Sequence, residues 1–199
     1  MTKYQHNDRI TITNEEINQL PLGAFEGKVD IIDHADQLEE AFTEINKHSI
    51  VGFDTETKPV FVSGHYNKVS LVQIALPERV FLIRLTTTDM APQIIHFFEN
   101  AMILKAGVAL RDDIKALQKL KHFKPDGFFE LADLAKKTGL QVESVKKLTA
   151  LLLGFRISKS AQTSNWEAVV FNEKQISYAA TDAWVCLHIY NKLQGSLPN

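Results

Sequence analysis

The order of its extended segments limits the possible folds of this chain more than any other feature of the sequence. Strand-like runs follow one another closely at residues 49–57, 68–76 and 79–85, and the Pro-Glu pair at 77–78 is typical of a tight turn between the last two. Strands joined by such short connections predict an antiparallel meander, because parallel neighbours need a long crossover.

Segments with helical spacing flank this meander and alternate with further strands. The additional strand-like runs are 29–33 and 102–108, and the helical runs are 35–48, 87–100, 112–120 and 173–193. From residue 129 onward the pattern is helical, apart from a polar loop at 156–165. Since alternating strands and helices add parallel strands, we predict an α/β fold with a mixed sheet, a meander plus parallel strands, flanked by helices.

Length and composition favour one globular domain. The chain has 199 residues, of which 45% are apolar, enough for a substantial core. Because no repeat or linker marks a boundary, we predict a lead segment at 1–28 and a single domain at 29–199. No apolar run is long enough to span a bilayer, and the N-terminus lacks the features of a signal peptide, so we expect an intracellular protein with no membrane partner.

Charge and cysteine content argue against several kinds of protein. The net charge of −2 argues against a nucleic-acid-binding module, which is usually basic. It argues less against a metal enzyme, because acidic metal ligands lower the net charge of the metal-free protein. The single cysteine, Cys186, excludes an internal disulfide and a cysteine-based zinc cluster, and its apolar surroundings predict a buried helix residue.

Two acids end the first strand of the meander. Asp54 and Glu56 are one residue apart, so strand alternation sends both side chains to the same side. Carboxylates this close repel each other unless a cation or a proton lies between them. Taken alone, the pair is equally consistent with a strand end that reaches solvent.

Acids in two other segments could join this pair. Tyr178 and Asp182 are four residues apart on one face of an otherwise apolar helix, where an aspartate needs a metal or a hydrogen bond, for example from Tyr178 itself. Asp112 and Asp113 begin another helix, so one could cap it while the other points toward Asp54. Four carboxylates with few histidines favour Mg²⁺ or Mn²⁺, and two such ions would serve phosphodiester hydrolysis.

Three motifs carry a family resemblance. "FDTET", "KAGVALRDD" and "YAATD" resemble the three motifs of the DEDD superfamily of 3′–5′ exonucleases, in the branch whose third motif contains tyrosine, and "SNWEA" matches a further family feature. Within that branch the likeness is closest to Werner-type and ribonuclease D exonucleases. The resemblance implies a ribonuclease H-like fold and an enzyme that removes nucleoside monophosphates from a single-stranded or recessed 3′ end of DNA or RNA.

The same resemblance implies a role for each matching residue. Asp54 resembles the ligand shared by two divalent cations, Mg²⁺ or Mn²⁺, and Glu56 and Asp182 resemble ligands of the cation that carries the attacking water. Tyr178 resembles the residue that orients this water. Asp113 matches the remaining acid, which often reaches the second cation through water.

The second motif leaves one acid over and departs from the family at one position. The family acid lies six residues after the glycine of "KAG", which gives Asp113, and Asp112 is then expected to be the helix cap. Ala109 stands where Werner-type domains have a second glycine. This change removes no ligand, but it bears on the local backbone.

Several weaker signals concern substrate contact. The candidates for binding nucleic acid are His65, Arg156, Lys159 and Asn165, with a turn or a solvated loop as the alternative interpretation. Trp166 is interpreted as a core residue, and Lys146 and Lys147 as a solvated face. Two other functions stay open: a degenerate domain that only binds nucleic acid or protein, and a ribonuclease H-like endonuclease. Retention of all four acids favours the enzyme, and Tyr178 favours the exonuclease.

Overall fold

The computed structural model describes residues 10–60, 64 and 66–195, and within them the predicted mixed sheet is present. Its strands are β1 (Lys28–Ile32), β2 (Ile50–Thr57), β3 (Val69–Ala75), β4 (Arg79–Arg84), β5 (Leu104–Gly107) and β6 (Phe128–Glu130). Their order across the sheet is β1-β4-β3-β2-β5-β6. Strands β2, β3 and β4 form the antiparallel meander, whereas β1, β5 and β6 each run parallel to their neighbours.

Helices cover both faces of the sheet. They are α1 (Asn14–Gln19), α2 (Leu38–Ile45), α3 (Leu85–Thr88), α4 (Pro92–Glu99), α5 (Leu110–Gln118), α6 (Leu131–Lys137), α7 (Val145–Leu153) and α8 (Glu173–Gln194). One face packs against α2, α4 and α5, and the other packs mainly against α8. Among the described residues, no helix combines the length and the apolar character needed to cross a membrane.

Two details differ from the sequence prediction. The run at 87–100 is two helices, because Asp89 adopts a positive φ of 50° and Pro92 starts a new helix at its N-terminal position. Strand β6 was not predicted, since a three-residue edge strand beside a helical run leaves no alternation to detect.

A close approach between α8 and β2 brings the long helix onto the sheet. Gly52 faces the backbone of α8, and a Cβ atom at this position would overlap the carbonyl oxygen of Ala183. A larger residue would therefore push the helix away. Gly52 is two residues before Asp54, and Ala183 directly follows Asp182. The contact between them therefore fixes the separation of the two acids.

Candidate active site

Three of the predicted metal ligands meet where β2 passes under α8. Asp54, Glu56 and Asp182 each present a carboxylate oxygen, and these oxygens all lie within 4.8 Å of one another. Glu56 and Asp182 are only 9% and 7% exposed. The group therefore combines closely spaced like charges with little access to water.

The pKa values of these acids are raised by burial and by mutual repulsion. Burial, followed by the charges of Asp182 and Asp113, holds the pKa of Asp54 well above its usual value. The same two effects, burial first, raise the pKa of Glu56 to about 10, and burial raises that of Asp182 to about 6. Repulsion of this kind is relieved by a cation between the carboxylates.

The donor set of this cluster fits a divalent metal. Carboxylate oxygens are the preferred ligands of hard cations such as Mg²⁺ and Mn²⁺. In the part of the chain that the structure describes, the buried Oδ1 atom of Asp182 has no hydrogen-bond partner. A buried carboxylate oxygen without a partner is costly in the metal-free protein, so a ligand that coordinates it would remove this cost.

Tyr178 lies beside the cluster, one helical turn before Asp182. Its ring packs against Trp166, with ring centroids 6.0 Å apart, and only 7% of the residue is exposed. Its hydroxyl group faces both Glu56 and Asp182 and lowers the pKa of each. Burial and the two negative charges raise the pKa of Tyr178, so the hydroxyl is un-ionised at neutral pH.

Asp113 lies next to the carboxylate cluster but is not part of it. Its Oδ1 atom accepts a hydrogen bond from the Thr55 hydroxyl at 2.6 Å, and burial raises its pKa to about 6. Its charge contributes to the raised pKa of both Asp54 and Glu56. The structure thus places Asp113 near the cluster, behind Thr55, but outside the set of oxygens that approach within 4.8 Å.

The prediction that Asp112 caps α5 is wrong. The Asp112 side chain is 89% exposed and lies 3.7 Å from Lys115 Nζ. The capping group is Glu130, whose two carboxylate oxygens accept hydrogen bonds from the Ala109 and Leu110 amides at 3.1 and 3.0 Å. A carboxylate from a distant segment therefore satisfies the N-terminus of α5, and the local sequence gives no sign of it.

Ala109 adopts the conformation that a glycine would favour. Its φ and ψ angles are 61° and 27°, in the left-handed region, directly before α5. This conformation costs an alanine about 1–2 kcal/mol relative to the right-handed one. The departure from the family sequence at this position thus stores backbone strain without removing a ligand.

A cavity of about 450 Å³ opens above the carboxylates. Its lining includes Asp54, Glu56, Tyr178 and Asp182, together with Ser144 and Lys146 from the start of α7 and Lys159 and Gln162 from the loop before α8. Lys159 is close enough to Asp182 to lower its pKa. Lys146, interpreted from the sequence as part of a solvated face, is half-buried and lines this cavity.

The other candidate substrate residues lie elsewhere. Arg156 Nε donates to the Leu20 carbonyl oxygen at 3.2 Å, and Asn165 Oδ1 accepts from the Glu167 amide at 3.1 Å, so both side chains bind backbone groups, and neither lines this cavity. His65 lies outside the described residues. Trp166 is fully buried, which confirms its interpretation as a core residue.

Comparison with known proteins gives concordant matches. A family model described as 3′–5′ exonuclease matches residues 29–198. The mouse bifunctional 3′–5′ exonuclease/ATP-dependent helicase WRN is 32% identical over 161 residues, which cover 78% of this chain and 12% of that protein. The chain thus spans about an eighth of this relative.

Solved structures show the same architecture. The EXO domain of Aedes aegypti Nibbler superposes with a TM-score of 0.76 at 26% identity, covering 88% of this chain and 92% of that one. Escherichia coli RNase D gives a TM-score of 0.76 at 23% identity, covering 85% of this chain and 45% of that one, a likeness of fold. The ribonuclease H-like fold expected from the sequence is confirmed.

Proposed function

The chain belongs to the family of 3′–5′ exonucleases, and from this premise we propose that it hydrolyses phosphodiester bonds successively from the 3′ end of nucleic acid, releasing nucleoside monophosphates. The observation that carries the proposal is the convergence of Asp54, Glu56 and Asp182 with Tyr178 at the floor of one cavity. Loss of any of these residues would have favoured a degenerate binding domain instead.

The family depends on divalent metal, and for this chain we propose two cations, Mg²⁺ or Mn²⁺. Asp54, Glu56 and Asp182 would hold them directly, with Asp113 contributing from behind Thr55. When bound, the cations would supply the positive charge that stabilises the attacking and leaving oxygens of the displacement.

The protein's own groups would position the reactants. The neutral Tyr178 hydroxyl, facing Glu56 and Asp182, would hydrogen-bond the attacking water and orient it rather than remove its proton. Lys159, on the cavity wall close to Asp182, would contact a phosphate of the substrate. Because water itself attacks the phosphorus atom, no covalent intermediate between the protein and the nucleotide is required.

The decisive experiment uses linear and circular substrates. DNA and RNA oligonucleotides of matched sequence, labelled at the 5′ end, would be incubated with the protein in Mg²⁺, in Mn²⁺ and in excess chelator. We expect successive shortening from the 3′ end only when metal is present, and no cleavage of a covalently closed circle.

Two results would contradict this function. Cleavage of the circle would indicate an endonuclease, and binding without cleavage in either metal would indicate a degenerate domain. Comparison of the DNA and RNA ladders also reports whether a 2′-hydroxyl is needed, because the phosphodiester itself is common to both.

Replacement of Tyr178 by Phe tests the orientation of the water. The variant keeps the ring that packs on Trp166 and loses only the hydroxyl, so we expect kcat to fall about 10- to 100-fold, the scale of a misplaced reactant. Melting temperature should stay near that of the parent. Tyr190→Phe is the matched control, because Tyr190 is equally buried on α8 and its hydroxyl bonds only to Gln194 among the described residues. Equal rates for the two variants would show that Tyr178 is structural.

A further inference from the structure

Residues 10–27, which we call the N-terminal strap, run along the domain before the first strand and precede the part matched by the exonuclease family model. Ile12 and Ile17 of the strap are buried against Ala150 of α7. Further along, the Arg156 amide donates to the Pro21 carbonyl oxygen at 2.9 Å, and the Phe25 amide donates to Thr181 Oγ1 at 3.0 Å. The strap therefore connects α7, the loop before α8 and α8 itself.

Two of these connected segments contribute side chains to the cavity lining. The start of α7 supplies Ser144 and Lys146, and the loop supplies Lys159 and Gln162. The strap reaches one of these side chains directly, because Lys146 Nζ donates to Asn14 Oδ1 at 3.0 Å. Asn14 is thus placed to limit where the Lys146 ammonium can lie.

The positive charge of Lys146 is not neutralised by an ion pair among the described residues, so it can interact with a substrate phosphate. Asn14, which accepts one of the three hydrogens of the Lys146 ammonium, is neutral. No carboxylate of the described residues forms an ion pair with Lys146. The cavity lining is otherwise rich in acids, and an incoming nucleic-acid strand carries a negative charge at every phosphate. A second cation in the lining, in addition to Lys159, would offset part of this repulsion.

We propose that Lys146 contacts a backbone phosphate upstream of the scissile bond and that the strap positions it through Asn14. The inference rests on the proposed exonuclease function. It assigns substrate contact to a side chain outside the recognised motifs and a positioning role to a segment outside the family model. Lys146 would contribute affinity for the strand, while the carboxylate cluster carries out the chemistry.

The test compares Lys146→Met with Lys147→Met in the full chain. Lys147 is the adjacent residue, also half-buried, but it does not line the cavity. On a single-stranded oligonucleotide, Lys146→Met should lower kcat/KM about tenfold through KM and reduce the slope of log(kcat/KM) against log[salt] by about one, as expected for one lost phosphate contact. Lys147→Met should leave the rate and the slope unchanged.

A small substrate separates failure of this inference from failure of the proposed function. The p-nitrophenyl ester of a nucleoside 5′-monophosphate contains a phosphodiester but no upstream phosphate, so Lys146→Met should hydrolyse it as fast as the parent does. Equal effects of the two lysine variants on the oligonucleotide, with an active parent, would overturn the role of Lys146. A parent inactive on both substrates would instead contradict the exonuclease function.

Asn14→Leu tests the positioning role. This variant keeps the Lys146 charge, so we expect kcat/KM on the oligonucleotide to fall two- to fivefold in the parent and to change no further in the Lys146→Met background. Additive losses in the double variant would show that Asn14 acts independently of Lys146 and would overturn the coupling. Melting temperatures of all four proteins identify any variant that has lost the strap.

Discussion

Asp54→Asn should abolish nearly all nuclease activity and yet raise the melting temperature of the metal-free protein. Asp54 belongs to the cluster whose oxygens lie within 4.8 Å, so its loss should cost about 10³-fold in rate, since the several kcal/mol that metal ions contribute to a transition state correspond to a factor of this order. Removal of one charge also relieves repulsion of Asp182 and Asp113. A gain of about 1 kcal/mol would raise the melting temperature by about 2–4 °C.

The control for this variant is Asp133→Asn, which removes an exposed carboxylate of α6 without touching the cluster. Added Mn²⁺ should raise the melting temperature of the parent and of Asp133→Asn, because a ligand that binds only the folded state stabilises it. Asp54→Asn should respond much less. If Asp54→Asn kept the parental response to Mn²⁺, the cluster would not be the metal site.

The meander and the long helix were predictable because their signals are local. Strand β3 is a short apolar run bounded by turn residues, and α8 keeps helical spacing over 22 residues. Strand β6 has three residues, and its pairing with β5 depends on a partner more than 20 residues earlier. Local pattern therefore reveals the long elements and misses the short edge strand.

The carboxylate cluster was also predictable in part, because Asp54 and Glu56 share a face of one strand and Tyr178 and Asp182 share a face of one helix. Local spacing predicts that the two residues of each pair lie on the same face, and the family resemblance predicts that the two pairs belong to one site. The close approach at Gly52 that sets their separation is a tertiary contact.

Other side chains could not be placed from local sequence. Lys105, within β5, is completely buried, and its Nζ atom donates to the carbonyl oxygens of Asn100 and Asp126 at 2.6 and 2.8 Å. The place of Lys146 in the cavity lining could not be predicted either, because only the fold shows where the start of α7 lies. Asp126 lies 21 residues from Lys105 and Asn14 lies 132 residues from Lys146, and periodicity carries no information about contacts at such separations.

Asp113→Asn and Asp112→Asn should behave as opposites, although the two acids are neighbours. Asp113 is buried behind Thr55, close enough to raise the pKa of Asp54 and Glu56, so loss of its charge should lower kcat about 10- to 100-fold, the range for an outer group that supports metal ligands. The fold should survive, because the side-chain amide oxygen of the Asp113→Asn variant can still accept the Thr55 hydroxyl hydrogen bond. Asp112→Asn should keep a rate within about twofold of the parent, since exposed substitutions rarely disturb a protein.

Melting temperature separates the structural roles in the same segment. Because Glu130 and not Asp112 caps α5, Asp112→Ala should change stability by less than about 0.5 kcal/mol, the usual range for an exposed side chain with a weak ion pair. Glu130→Ala removes this cap and also the hydrogen bond that Glu130 Oε1 accepts from the Ala132 amide at the start of α6, so the loss of both caps should cost about 1–4 kcal/mol. Rates in saturating Mg²⁺ and melting curves of all four variants give the comparison. If Asp112→Asn were inactive and Asp113→Asn active, the assignment within this motif would be wrong by one residue, while the cluster of Asp54, Glu56 and Asp182 would still stand, because its geometry does not depend on α5.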